Sequence, residues 1–375
     1  MLYWISNFDQ GGKVMNKRII SILLTGILSL SLIGCGDKGE AKENVDLKVG
    51  MVTDSGTIDD KSFNQGSWEG IKKATDELNV ASNYIKPDGE SEADYLIGID
   101  NLVDSGYEMI ITPGFKFEKA VWKAQEKHQD KKFVLIDGTP NDGKTQKIAE
   151  NTVSIYFAEH EAGFLAGIAT ALEVNEGDVG FLGGTMVPAV QKYNWGFQQG
   201  LMYANENLGT KINLKKENFV YEGTFTNTAG GQQIAATMYD RGVKVIFAAA
   251  GSGGVGAITE AKSRAMRGEK VYIVGVDVDQ YDDGVYNKGG ETGSVILTSA
   301  IKKLSNATYT MVKDAVNNEF RGGETIMFDA KNDGVGLPEN NPNLKDSTIE
   351  SVKDVSEKIK SGEIVVQNEK GNLFD

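Results

Sequence analysis

The chain has 375 residues, with 53 acidic against 39 basic side chains, a net charge of −14, two histidines and one cysteine. So acidic a surface argues against nucleic acid as a partner, because phosphate backbones select basic patches. A lone cysteine excludes an internal disulfide framework, and His128 and His160 have no ligand-spaced neighbour of the H-E-x-x-H kind, so neither thiolate nor histidine metal chemistry is expected.

Residues 1–14 do not fit a leader. Residues 10–15 back-translate into a ribosome-binding sequence ahead of a start codon, so 1–14 are expected to be an over-extended start. Met15-Asn16-Lys17-Arg18 opens residues 15–34, which have the form of a signal peptide. Lys17 and Arg18 precede an apolar run over 19–33 that is short for a membrane span. Leu32-Ile33-Gly34-Cys35 then has the shape of a bacterial lipobox, so Cys35 is expected to be lipidated. That places the protein at the extracytoplasmic face of the cell membrane, held by acyl chains each worth ~0.8 kcal/mol per buried CH₂. Residues 35–45 are polar and charged and read as a tether.

The body alternates apolar strands with amphipathic helices. Strands are expected at 47–53 (LKVGMVT), 82–86, 108–112, 132–137 (KFVLID) and 152–157. Others are expected at 178–182, 219–224, 244–250 (KVIFAAA), 271–277 (VYIVGVD), 294–298, 325–328 and 364–367. Helices fall between them, at 63–78, 93–104, 118–127, 159–172, 190–204, 229–239, 254–267, 301–317 and 349–360. This rhythm defines an α/β chain of parallel sheets covered on both faces, and its length calls for two doubly wound domains. Ligands of such sheets bind outside the carboxyl ends of the strands.

The residues after the strands are therefore the candidate site. Asp54, Asp137 and Asp277 each follow an apolar strand, and a carboxylate can hold vicinal hydroxyls in a fork. Phe63 lies between the first strand and its helix, and Phe225 follows the 219–224 strand. Two aromatics from different domains can sandwich a flat ring, with ~1–3 kcal/mol per stacked base. The plain alternative for Ser62 and Asn64 is a helix cap, and for a single strand-end aspartate a cap or turn. Gly251-Ser252-Gly253-Gly254-Val255-Gly256 matches a dinucleotide fingerprint, with Asp277 about 20 residues on. Its place deep in the chain, the export signal and the lack of hydride-transfer residues argue against that reading. A glycine turn also lets backbone approach any ligand closely.

Asp54-Ser-Gly-Thr-Ile-Asp-Asp-Lys-Ser-Phe-Asn64 resembles the opening motif of the basic membrane protein family of lipoproteins, which includes nucleoside-binding components of bacterial ABC importers. The resemblance continues through Glu161-Ala-Gly-Phe-Leu-Ala-Gly167, Phe181-Leu-Gly-Gly184, Gly275-Val-Asp-Val-Asp-Gln280 and Thr298-Ser-Ala-Ile-Lys302. It implies a type I periplasmic-binding-protein fold, no enzymatic activity and no cofactor. The implied partners are a purine nucleoside of the adenosine, guanosine or inosine class and an ABC permease, with the protein acting as a monomer. Carried over by position, it implies Asp54, Asp137 and Asp277 as polar contacts and Phe63 as the stacking ring, with Asn64 beside it. It also implies Gly251 as a backbone contact and Lys302 as a basic contact. Phe225 is the opposing ring, with Trp195 as its alternative.

The resemblance implies one lobe of residues 46–157 plus 281–322 and another of 158–280 plus 323–375, with hinges near Phe157, Gln280 and Gly322. A sugar or autoinducer-like ligand on the same fold remains open. So does a nucleoside hydrolase, although Asp277, Asp279, Asp282 and Asp283 are wrongly spaced for its metal cluster.

Overall fold

The computed structural model describes residues 45–369. The expected leader, Cys35 and the tether up to residue 44 lie outside the described residues. In chain order the elements are β1 (Leu47–Val52), α1 (Phe63–Glu77), β2 (Val80–Ile85), α2 (Glu92–Asp104), β3 (Met109–Pro113), α3 (Glu118–Lys127), β4 (Lys132–Ile136) and β5 (Thr152–Phe157). Next come α4 (Glu159–Val174), β6 (Glu176–Gly183), α5 (Pro188–Asn207), β7 (Lys211–Asn213), β8 (Phe219–Tyr221), α6 (Thr228–Asp240), β9 (Val243–Ala249), α7 (Ser252–Arg267) and β10 (Tyr272–Asp277). The last are β11 (Val285–Lys288), β12 (Glu291–Ser294), β13 (Ile296–Lys302), α8 (Leu304–Val316), β14 (Thr325–Phe328), β15 (Val335–Gly336) and α9 (Asp346–Ser361). None of these helices is long and apolar enough to cross a membrane.

Two sheets carry the fold. The first runs β14-β5-β4-β3-β1-β2 and is parallel throughout. The second runs β15-β13-β10-β9-β6-β7, with β8 also on β6; only β15 is antiparallel. Successive strand residues feed opposite cores, as the two-residue period of a strand demands. In β4, Val134 and Ile136 join one core while Phe133 and Leu135 join the one under α2 and α3. In β9, Val245 and Phe247 face one side, and Ile246 and Ala248 face α6 and α7.

Helices α4 and α5 touch backbone to backbone. A Cβ placed on Gly196 would lie 2.0 Å from the His160 carbonyl oxygen, and one on Gly200 2.2 Å from that of Phe164. The obstacle is helix backbone, which cannot turn aside as a side chain can. Gly196→Ala is expected to lower stability by ~1–3 kcal/mol through overpacking, read as a lower urea midpoint with an unchanged slope.

The lobe boundaries differ from the expected ones. Strand β13 pairs with β10 from Ile296 to Ile301 and with β15 at Lys302, so 281–302 stays in the second lobe. The chain crosses over after Lys302, where α8 packs on α1. It crosses back after Phe328, because β14 pairs with β5 while β15 returns to β13. The crossings thus fall at 157–158, 302–304 and 328–329, and Gln280 and Gly322 are not among them. The small, alternating residues of Thr298-Ser-Ala-Ile-Lys302 fit helix and strand equally, which is why a helix start at 301 is overturned; α8 begins at Leu304. The expected 364–367 strand is irregular chain, held by both backbone groups of Gln367 on the Gln199 side chain. The β11–β12 hairpin, between Val285 and Ser294, has no counterpart among the expected elements.

Candidate functional site

A cavity of about 280 Å³ opens where the carboxyl ends of both sheets meet. Its wall includes Asp54, Phe63, Asn64 and Asp137 from the first lobe, and Phe225, Gly251, Asp277 and Lys302 from the second. All eight candidate residues are thus brought to one wall. Trp195, offered as the alternative ring, is not on it; α5 instead presents Lys192 and Tyr193.

At the first lobe, Asp60 rather than Ser62 or Asn64 caps α1. Its carboxylate accepts from the backbone N–H groups of Ser62, Asn64 and Gln65 at 2.9, 3.0 and 3.1 Å. Asn64 is buried, and its carboxamide bridges two carboxylates. It donates to Asp54 Oδ1 at 2.8 Å and Asp60 Oδ2 at 2.7 Å, and accepts from the Asp54 N–H at 3.2 Å. Asn64 therefore orients Asp54. Burial pushes the Asp54 carboxyl above its usual range, while hydrogen bonds from Gly56 and Asn64 oppose this.

Asp137 and Asp277 share an unusual backbone. Both adopt positive φ: Asp137, at +57°, immediately follows β4, and Asp277, at +65°, is the last residue of β10. Such strain in a non-glycine residue tends to mark functional turns, and here each turn sets a carboxylate in the cavity wall.

Lys302, 2% exposed, is the electrostatic centre. Its Nζ pairs with Asp137 Oδ2 and, at 3.0 Å, with Glu159 Oε1. It also lies 5.0 Å from the ring centroids of Phe63 and Phe157. Burial opposes the lysine's charge, but Asp137, Glu159 and Asp277 hold its proton above the usual range. Burial also opposes the Glu159 charge; Lys302 and Lys192, the latter at 3.4 Å, outweigh it and keep this carboxyl below its usual range. Among the described residues, Asp137 pairs with one lysine. Burial pushes it up to about 6, against the pull of Lys302 and with the push of Glu159. Its Oδ1 is buried with no hydrogen-bond partner among the described residues, so one strong acceptor remains for a ligand.

Asp277, also raised by burial, takes the hydroxyls of Ser62 at 2.5 Å and Tyr193 at 3.3 Å. Sequence reasoning missed Tyr193, Glu159, Lys192 and Tyr156. Glu159 opens α4 one residue after β5, so the strand-end rule reaches it; Tyr193 lies inside a helix with no local signal.

The glycine fingerprint has a packing explanation. A Cβ on Gly253 would sit 2.3 Å from Glu222 Oε2, and one on Gly256 2.0 Å from the Thr228 carbonyl oxygen. The Ser252 and Gly253 amides already donate to the carbonyls of Phe225 and Ala250. These glycines seat Glu222 and let α7 approach α6, and two amides that a pyrophosphate needs are engaged. Gly251, at φ +55°, turns the chain against Phe225. Among the described residues, no group of three or more His, Cys, Asp or Glu is arranged to hold a metal ion.

Two lobes built on largely parallel sheets, three crossings and a cavity between the strand ends define the type I periplasmic-binding fold. A solved ABC transporter system solute-binding protein from Aeropyrum pernix K1 is similar to it, at 25% identity and a TM-score of 0.74, over 87% of this chain and 94% of that one. The family described as ABC transporter substrate-binding protein PnrA-like matches residues 47–370, and the chain belongs to that family, Bmp. Among its relatives, the CD4+ T-cell-stimulating antigen of Listeria monocytogenes is 33% identical, over 94% of this chain and 99% of that protein. The ABC transporter nucleoside-binding protein BmpA of Lactococcus lactis is 30% identical, over 91% and 97%. An ABC transporter substrate-binding protein serves a permease and presents its ligand there.

Proposed function

We propose that the protein captures nucleosides of the purine class for an ABC importer and performs no chemistry on them. The observation that carries this reading is the unpartnered, buried Asp137 Oδ1 in a wall that also presents Phe63 and Phe225 from opposite lobes. An acceptor of this kind suits a ribose hydroxyl, and two rings suit a base. The volume lies near the lower bound of small-molecule sites, roughly 300 Å³, which suits one nucleoside rather than an oligomer. The name of the Lactococcus relative supports the same class.

The protein works as a monomer, anchored through lipid on Cys35 at the extracytoplasmic face of the membrane. Tethering keeps the loaded protein at high effective concentration near its permease. Mass spectrometry of the membrane-extracted protein should find Cys35 as an acylated amino terminus.

Titration calorimetry with inosine, adenosine, guanosine, free bases and pentoses tests the ligand. Nucleosides should bind far more tightly than either half alone; binding of pentoses alone contradicts the reading. Affinity should also depend on pH. Ligand that donates to ionised Asp137 favours the deprotonated form, so affinity is full above pH 7. It should fall by up to about tenfold per unit once pH drops well below 6.

A further inference from the structure

The geometry points to Ser62 and Gln280 as positioning residues that tie the setting of Asp277 to closure of the two lobes. Three bonds join the dipeptide Lys61-Ser62 of the first lobe to residues 277–283 of the second. Ser62 Oγ donates to Asp277 Oδ2 at 2.5 Å. Gln280 Nε2 donates to the Lys61 carbonyl oxygen at 2.7 Å. Lys61 Nζ lies 3.6 Å from Asp283 Oδ1. The first is buried, the second partly buried and the third the most exposed, so the first two dominate.

Gln280 is built for this task. It is 3% exposed, and its carboxamide is fixed at both ends: Oε1 accepts from the Val276 N–H at 3.0 Å while Nε2 reaches Lys61. Its own N–H donates to Ser299 Oγ at 3.1 Å. The side chain thus braces the strained turn at Asp277 from within and clasps the other lobe with its remaining donor. Lys61 itself adopts φ +60°, a conformation that this contact helps to hold. When the lobes part, Asp277 loses Ser62 and the Lys61 carbonyl loses Gln280 together. Placement of the carboxylate and closure are therefore one event, which rests on the cavity being the ligand site.

The clasp consists of protein groups alone, so it biases the lobes toward each other with or without ligand. Ser62→Ala removes the hydroxyl on Asp277. Gln280→Glu keeps the acceptor for Val276 and removes the donor to Lys61. Small-angle scattering of the unliganded full chain should show a larger radius of gyration in both variants than in the wild type. Stopped-flow release of inosine should be about 10- to 100-fold faster, with association changed less than about threefold. Unchanged scattering in both variants overturns the inference, even if their unfolding midpoints fall, because a merely structural role moves only the latter. If inosine does not bind the wild type, the nucleoside reading fails, and scattering still decides the clasp.

Discussion

Replacing Lys302 by methionine is expected to destabilise the protein by ~3–5 kcal/mol, the cost of removing one partner from a buried ion pair. That is a large fraction of the ~5–15 kcal/mol typical of a folded domain. Methionine fills most of the volume, so the loss is electrostatic. Among the described residues, Lys302 alone pairs with Asp137, and it shares Glu159 with Lys192, so its removal leaves Asp137 without a cationic partner there. The effect should depend on pH with a definite sign. Asp137 already has a folded pKa above its unfolded value, so its contribution becomes more favourable as pH falls through about 6. Glu159 is held low by the lysines, so its contribution is present above its unfolded pKa and lost as pH falls below it. Without Lys302 both carboxyls rise, and the variant binds protons more tightly when folded. Its deficit against the wild type should shrink between pH 7 and pH 5. Urea titrations at the two pH values check this; equal stability at pH 7 would show that the triad does not hold the lobe crossing together.

Phe63→Ala is expected to weaken nucleoside binding by ~1–3 kcal/mol, about 5- to 150-fold in Kd, through loss of one stacking face. Phe63 opens α1, whose entry is set by Asp60 and whose neighbour Asn64 is locked between two carboxylates. The ring is therefore carried on a rigid turn, and its removal should not be repaired by local movement. Phe225 should behave alike from the other lobe, while Phe63→Leu should retain part of the affinity through apolar contact. Titration calorimetry reads the difference, and wild-type affinity in Phe63→Ala would remove stacking from the account.

The strand rhythm and the strand-end rule carry most of what is legible in the sequence. A buried parallel strand is a continuous apolar run, so β1, β4, β9 and β10 announce themselves, and the aspartates that end or follow β1, β4 and β10 mark the cavity wall, as Gly251 does after β9. Lys302 is different. Its motif points to it, but the local pattern places it inside a helix, because Thr298-Ser-Ala-Ile-Lys302 has no turn signal and only pairing with β10 makes it strand. The lobe crossings are hidden for the same reason: pairing is a tertiary choice that periodicity does not encode. Gln280 shows the reverse error. The resemblance implies a hinge near it, yet the crossing falls after Lys302 and the Gln280 carboxamide accepts from the Val276 N–H. Helix α5 conceals Tyr193, since an aromatic at a buried helical position reads as core.

The most direct test of the central claim is a crystal structure of the full chain soaked with inosine. The base is expected between Phe63 and Phe225, with a ribose hydroxyl within hydrogen-bond distance of Asp137 Oδ1. Inosine bound elsewhere, or a cavity left empty at saturating inosine, would contradict it.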